Sequence, residues 1–142
     1  QCPNGKAPRT GMDFYTNESI KTSDNADYVD NVYDKGHCAP AADFNCDKKS
    51  LLTTFSYLNC VLQHEKLNRG PWRLLEQHER ELAKNGPIRV EIRMVYSKNS
   101  KVLSTGATVP DAFVKIITSD KICEKYFFCK NVFARNYCSS RY

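Results

Sequence analysis

His37, Asn68 and Glu76 are the side chains whose types and spacing could do chemistry together. His37 closes Asp34-Lys35-Gly36-His37, an acid, a base, a glycine and an imidazole in a row. An imidazole with an ordinary pKa of ~6.5 takes a proton from water around neutral pH. Gly36 allows a tight backbone turn beside it. Pro40 and the small residues around it place His37 at the end of an extended segment, not inside a long helix. Asn68 stands just ahead of a helical run, and Glu76 lies two turns into it. A helix start aims free N–H groups and a positive dipole end at its surroundings, which suits phosphate. From Asn68 to Glu76 is eight residues, so a helix beginning near Asn68 sets both on a similar face. Such an arrangement can hold a metal ion with His37 as a base beside it. On these residues alone the plainer alternative stays open: a structural histidine, Asn68 as a helix cap and Glu76 as a solvated acid.

The elements that must position these groups follow from periodicity and turn chemistry. Residues 1–32 read as loop with short extended pieces, and the strand-like Tyr28-Val29 and Val32-Tyr33 lead into the His37 motif. Asn45 to Ser50 is a polar turn. Leu51 to Leu62, with Thr53, Thr54, Phe55 and Tyr57, suits a strand and a descending loop. Pro71 takes the favoured first position of a helix running over Trp72 to Ala83. Its inward stripe is Trp72, Leu75, Glu79 and Leu82-Ala83, and Asn85-Gly86-Pro87 ends it. Ile88 to Tyr96 alternates as a half-buried strand. Asn99-Ser100-Lys101 turns the chain and Val102-Leu103 pairs back. Val109-Pro110 then opens a strand over Ala112 to Ile117, and Tyr126 to Phe133 forms a last one. The pattern is α+β: antiparallel strands with one good helix.

Bulk composition bounds the class. The 142 residues suit a single domain, 1–142, with residues 121–142 as a Cys-rich C-terminal extension of it. Hydrophobic and charged contents of 41% and 26% exclude wholesale disorder. A net charge of +5 favours an acidic partner such as nucleic acid. No apolar run approaches the roughly 18 residues of a membrane helix, so no membrane partner is expected. Seven cysteines without paired CxxC spacing read as disulfides of an oxidising compartment, with Cys38 a disulfide anchor and Cys138 anchoring the tail. The odd count leaves a thiol free or paired between chains, hence a monomer or a homodimer. The sequon Asn17-Glu18-Ser19 fits a secreted protein whose signal peptide has been removed. His64 and His78 read as surface residues.

Four blocks in order resemble one family. Asp34-Lys35-Gly36-His37-Cys38-Ala39-Pro40-Ala41 is similar to the D-R-G-H-x-A-P-A signature of the DNA/RNA non-specific endonucleases, the ββα-metal (His-Me finger) nucleases. Tyr57 to Gln63, Leu67 to Glu76 (compare L-N-x-G-x-W-x-x-L-E) and Val109 to Ile117 resemble its later segments. The resemblance covers roughly residues 9 to 117 and leaves out the Cys-rich tail. It implies a ββα-metal finger core on a mostly antiparallel, disulfide-stabilised sheet, and metal-dependent cutting of DNA and RNA to 5′-phosphate and 3′-hydroxyl ends. His37 would be the general base and Asn68 the direct ligand of one divalent cation, Mg²⁺ first and Mn²⁺ second. Glu76 would hold that ion through water, and Arg9 would contact phosphate. Asn59 would brace the site, with Lys35 and Arg73 as further substrate or supporting residues. Lys35 departs from the signature's arginine, keeping the charge but losing the planar five-donor fork. The alternative is therefore a weak or silent member of the fold that binds nucleic acid or another partner.

Overall fold

Strand β1 (Tyr33–His37) pairs antiparallel with β2 (Cys60–His64), His37 standing opposite Cys60 and Asp34 opposite Gln63. The computed structural model describes residues 2–131 and the backbone of residues 138–141. Beyond β2 the chain makes a short helical turn, α2 (Glu65–Leu67), one widened turn (Asn68–Trp72) and the main helix α3 (Arg73–Ala83). The backbone of Gly70 is non-helical (φ −107°, ψ −109°), so the helix restarts at Pro71, where a missing N–H costs nothing. A second sheet follows: β3 (Arg89–Val95), β4 (Ala112–Thr118), β5 (Cys123–Phe128) and β6 (Cys138–Arg141), antiparallel in that order. The architecture is α+β with antiparallel sheets, and β1, β2 and α3 form a ββα unit.

The helix is held by its apolar stripe. Trp72 and Leu75 are buried with Val61, Leu67, Phe113, Ile117 and Phe128. The Trp72 ring lies 5.4 Å from Phe113 and 5.2 Å from Phe128. Each such side chain contributes about 1.5–3 kcal/mol of apolar burial. Because Leu67 and Trp72 are both anchored in this core (2% and 1% exposed), the turn between them, which carries Asn68, is fixed at both ends.

Several expectations change. Leu51 to Thr53 is helical, not a strand: α1 (Lys48–Thr53) starts where Asp47 accepts a hydrogen bond from the Ser50 N–H. A local cap outweighs the strand preference of Thr53 and Thr54. Leu51 then packs with Ala41 and Phe55 in a second, smaller core. Gly36 is not a turn residue, since it lies within β1. A Cβ there would meet Gln63 Oε1 and Cβ at 2.7 and 2.8 Å, so it is close packing that requires glycine. β3 ends the described sheet, which leaves Val90, Met94 and Tyr96 exposed while Ile88 and Ile92 reach the core. Val102 bridges Thr108 instead of pairing back onto β3. The strand expected over Tyr126–Phe133 runs over Cys123–Phe128; Val132 and Phe133 lie outside the described residues.

Among the described residues one disulfide, Cys2–Cys46, joins the N-terminal segment to the loop before α1. Cys38 is not an anchor. It is a free thiol, packed as a small apolar group against the Trp72 core. Cys60, Cys123 and Cys129 are also free, and the side chain of Cys138 lies outside the described residues. Among the described residues no helix is long and apolar enough to cross a membrane.

Candidate functional site

A groove of ≈ 640 Å³ lies between the end of β1 and the start of α3. Its lining gathers His37, Asn68, Glu76, Arg9, Lys35 and Arg73, together with Arg69 and Arg80, which sequence reasoning passed over. Asn59 is not part of it. Instead, its side chain accepts from the Ala39 N–H and donates to the Ala39 and Thr54 carbonyls, tying down the loop that follows His37.

His37 is the last residue of β1 and its ring is wedged between two others, Phe14 at 4.8 Å and Phe55 at 5.0 Å. Nε2 is buried and has no hydrogen-bond partner among the described residues. Burial, with a smaller contribution from the Arg9 charge, lowers the imidazole pKa to about 4. His37 is therefore neutral at pH 7, in the form that accepts a proton, and a weaker base than an ordinary imidazole. The Arg9 guanidinium is held 5.0 Å over the Phe55 ring at the same end of the groove.

On the facing wall Asn68 is oriented by a carboxylate. Asp34 Oδ2 accepts from Asn68 Nδ2 and from Arg69 Nε, both at 2.9 Å, and Asp34 Oδ1 accepts from Arg69 Nη2 at 2.7 Å. Burial alone would raise the Asp34 pKa, but the hydrogen bonds from Arg69 and Asn68 outweigh it and hold the carboxyl below its usual range. Since the Asn68 NH₂ is committed to Asp34, its carbonyl oxygen is the atom left for another partner.

Glu76 is half-buried, and no described residue gives it a hydrogen bond or ion pair. Burial raises its pKa to about 7; the Lys115 charge offsets part of this and the Glu79 carboxylate adds to it. Lys35 donates to Asn25 Oδ1 at 2.7 Å and lies over the Phe14 and Tyr57 rings. Arg73 donates through Nε to the Arg69 carbonyl, leaving the rest of its fork at the groove rim. Outside the groove, His78 is not a bare surface residue, because its Nε2 lies 2.8 Å from Glu124 Oε2. The sequence did signal Asp34, inside the His37 motif. For Arg69 no local pattern marked its partner.

The donor set fits a hard, largely hydrated cation. It offers an amide oxygen and a carboxylate. No cluster of three or more His, Cys, Asp or Glu side chains that could cage a metal occurs among the described residues. Mg²⁺-like ions typically keep several waters and take few protein oxygens.

Comparison with known proteins gives a consistent result. The sequence profile of the DNA/RNA non-specific endonuclease family matches residues 2–138, further toward both ends than the four blocks reach. The chain is similar to mitochondrial endonuclease G of Bos taurus, 32% identical over 83 residues, or 56% of this chain and 28% of that protein. Mitochondrial nuclease EXOG of Danio rerio is 35% identical over 81 residues, 55% of this chain and 24% of that one. A nuclease of Nostoc sp. is 34% identical over 93 residues, 63% and 33% of the two chains. Each match thus spans no more than a third of the curated relative. A chain in the crystal structure of the EndoG/EndoGI complex superposes with a TM-score of 0.74 at 27% identity, covering 92% of this chain and 62% of that one.

Proposed function

Because this chain belongs to the DNA/RNA non-specific endonuclease family, we propose that it is a secreted, metal-dependent endonuclease cutting DNA and RNA. One observation carries the reading. A neutral imidazole, its Nε2 unpartnered among the described residues, shares a groove with an amide-oxygen donor, a half-buried carboxylate and several guanidinium groups. His37 accepts a proton from water as the water oxygen bonds to phosphorus, the bond from phosphorus to the 3′ oxygen breaks, and the departing oxygen takes a proton from solvent. The ends produced are 5′-phosphate and 3′-hydroxyl. Arg9 and Arg73 set positive charge against the phosphate oxygens, with Lys35 adding to the field. One divalent ion, Mg²⁺ in preference to Mn²⁺, would be held by the Asn68 carbonyl and, through water, by Glu76; when bound it supplies charge to the phosphate and the leaving oxygen. Charge set against phosphate oxygens carries no sequence information, which supports indifference to sugar and sequence. The Cys2–Cys46 disulfide supports an oxidising, extracellular setting.

A second reading rests on Lys35. Its ammonium is already bonded to Asn25, so position 35 brings less to a phosphate than an arginine fork would. On that basis the protein is a weak or silent nuclease that mainly binds nucleic acid. Plasmid DNA and total RNA incubated with the purified protein, with and without a chelator, separate the two. The nuclease reading expects degradation that the chelator stops, and a loss of about 10²–10⁴-fold in His37→Ala. DNA retained on a gel but never cut would establish the second reading instead.

A further inference from the structure

Asn68 is an effective ligand for a cation only if its carbonyl, and not its NH₂, faces the groove. Its terminal torsion is broad and roughly two-fold, so the choice has to be made by a neighbour. Asp34 makes it, because an ionised carboxylate only accepts hydrogen bonds and therefore selects the NH₂ end. Asp34 is itself a rotatable group on the neighbouring strand, and its plane is set by two parallel bonds from the Arg69 fork.

We infer that Arg69 is a positioning residue for ion binding: by clamping Asp34 it holds the Asn68 amide with its carbonyl open to the groove. The inference rests on the reading of Asn68 as the ion's ligand. Arg69 directly follows Asn68 in the fixed turn, so two consecutive residues grip one carboxylate across 34 and 35 positions of sequence. The Arg69 side chain is 67% exposed, and its only other ion-pair partner among the described residues, Glu65 of α2, is 3.8 Å away. Its fork is committed to Asp34 and not to core packing. Lys35 does not share this task, since its ammonium is turned to Asn25 and to the Phe14 and Tyr57 rings. The guanidinium absent from position 35 is thus present at position 69, aimed at the aspartate of the same motif.

The test is Mn²⁺ binding by calorimetric titration of the full chain carrying His37→Ala, with melting temperatures checking that each variant folds. Asn68→Ala should abolish binding, which reads the assignment of Asn68 by itself. Arg69→Ala should then weaken Mn²⁺ about 10-fold or more. Arg69→Lys should recover only part, because a point charge lacks the fork. In an Asp34→Asn background, Arg69→Ala should add little, since the two act as one unit. Mn²⁺ binding that survives Asn68→Ala overturns the assignment of Asn68, and this inference with it. Binding lost with Asn68→Ala but unmoved by Arg69→Ala overturns the inference alone. So does an Arg69→Ala loss of equal size with and without Asp34→Asn; weaker retention of DNA in chelator with unchanged Mn²⁺ affinity would reassign Arg69 to phosphate.

Discussion

Glu76 and Glu79 stand one helical turn apart on α3 and present the same carboxyl group to two different surroundings. Glu79 faces the sheet, where Lys115 Nζ on β4 lies 2.7 Å from its Oε1; the side chains are 2% and 0% exposed. The Lys115 ammonium also sits 4.1 Å from the centre of the Trp72 ring. Burial raises the Glu79 pKa, and the Lys115 charge works against that rise. Glu76 faces the groove, and among the described residues nothing is bonded to it. The comparison separates two uses of a buried carboxylate. One has a dedicated cation and is committed to holding the helix on the sheet. The other is left half-buried and unpaired, which raises its pKa to about 7 and leaves its oxygens for water.

The largest effect that could break this contrast is on stability. Lys115→Met leaves the Glu79 carboxylate buried and unpaired, and should cost about 3–5 kcal/mol in urea denaturation. Replacing both partners, Glu79→Leu with Lys115→Met, should recover most of that loss. If the single variant proves as mild as the double, the pair is not what makes Glu79 structural. Next comes activity: Glu76→Gln should lower the cleavage rate about 10–100-fold and raise the Mg²⁺ concentration required, as for other residues that hold a metal's water. Wild-type rate and Mg²⁺ dependence in that variant would erase the functional half of the contrast.

The smallest effect sharpens it through pH. The Glu76 pKa in the folded protein is about 7, against an ordinary 4.5. Between those values the folded state holds a proton that the unfolded chain has released. This group's contribution therefore falls as pH rises through that window, and the penalty is complete above it. In chelator, Glu76→Gln should be more stable than the parent by about 3 kcal/mol at pH 8, with no more than a small difference at pH 4. His37 runs the other way. Its folded pKa of about 4 lies below the ordinary 6.5, so its contribution to stability rises with pH between the two. A flat difference between Glu76→Gln and the parent across pH would show that Glu76 is not desolvated as described.

What the sequence determined is local. Periodicity marked α3 and its stripe, of which Trp72, Leu75 and Glu79 are buried, Leu82 is half-buried and Ala83 is exposed, because a 3.6-residue repeat is a property of one segment alone. Motif spacing marked His37, Asn68 and Glu76, and the groove gathers them. Where a local cap competed with β-propensity, at Asp47 to Thr53, the reading failed, because the cap is one specific hydrogen bond and propensity only an average. What tertiary structure alone decided depends on residues far apart in the chain. Gly36 is needed because Gln63 crosses it, not because the chain turns there. Asn68 presents its carbonyl because Asp34, held by Arg69, takes its amide. His37 is neutral and Glu76 half-protonated near pH 7 because of the degree to which each is withdrawn from water. Desolvation and hydrogen-bond choice are set by whatever packs around a group, and no window of neighbouring residues contains that information.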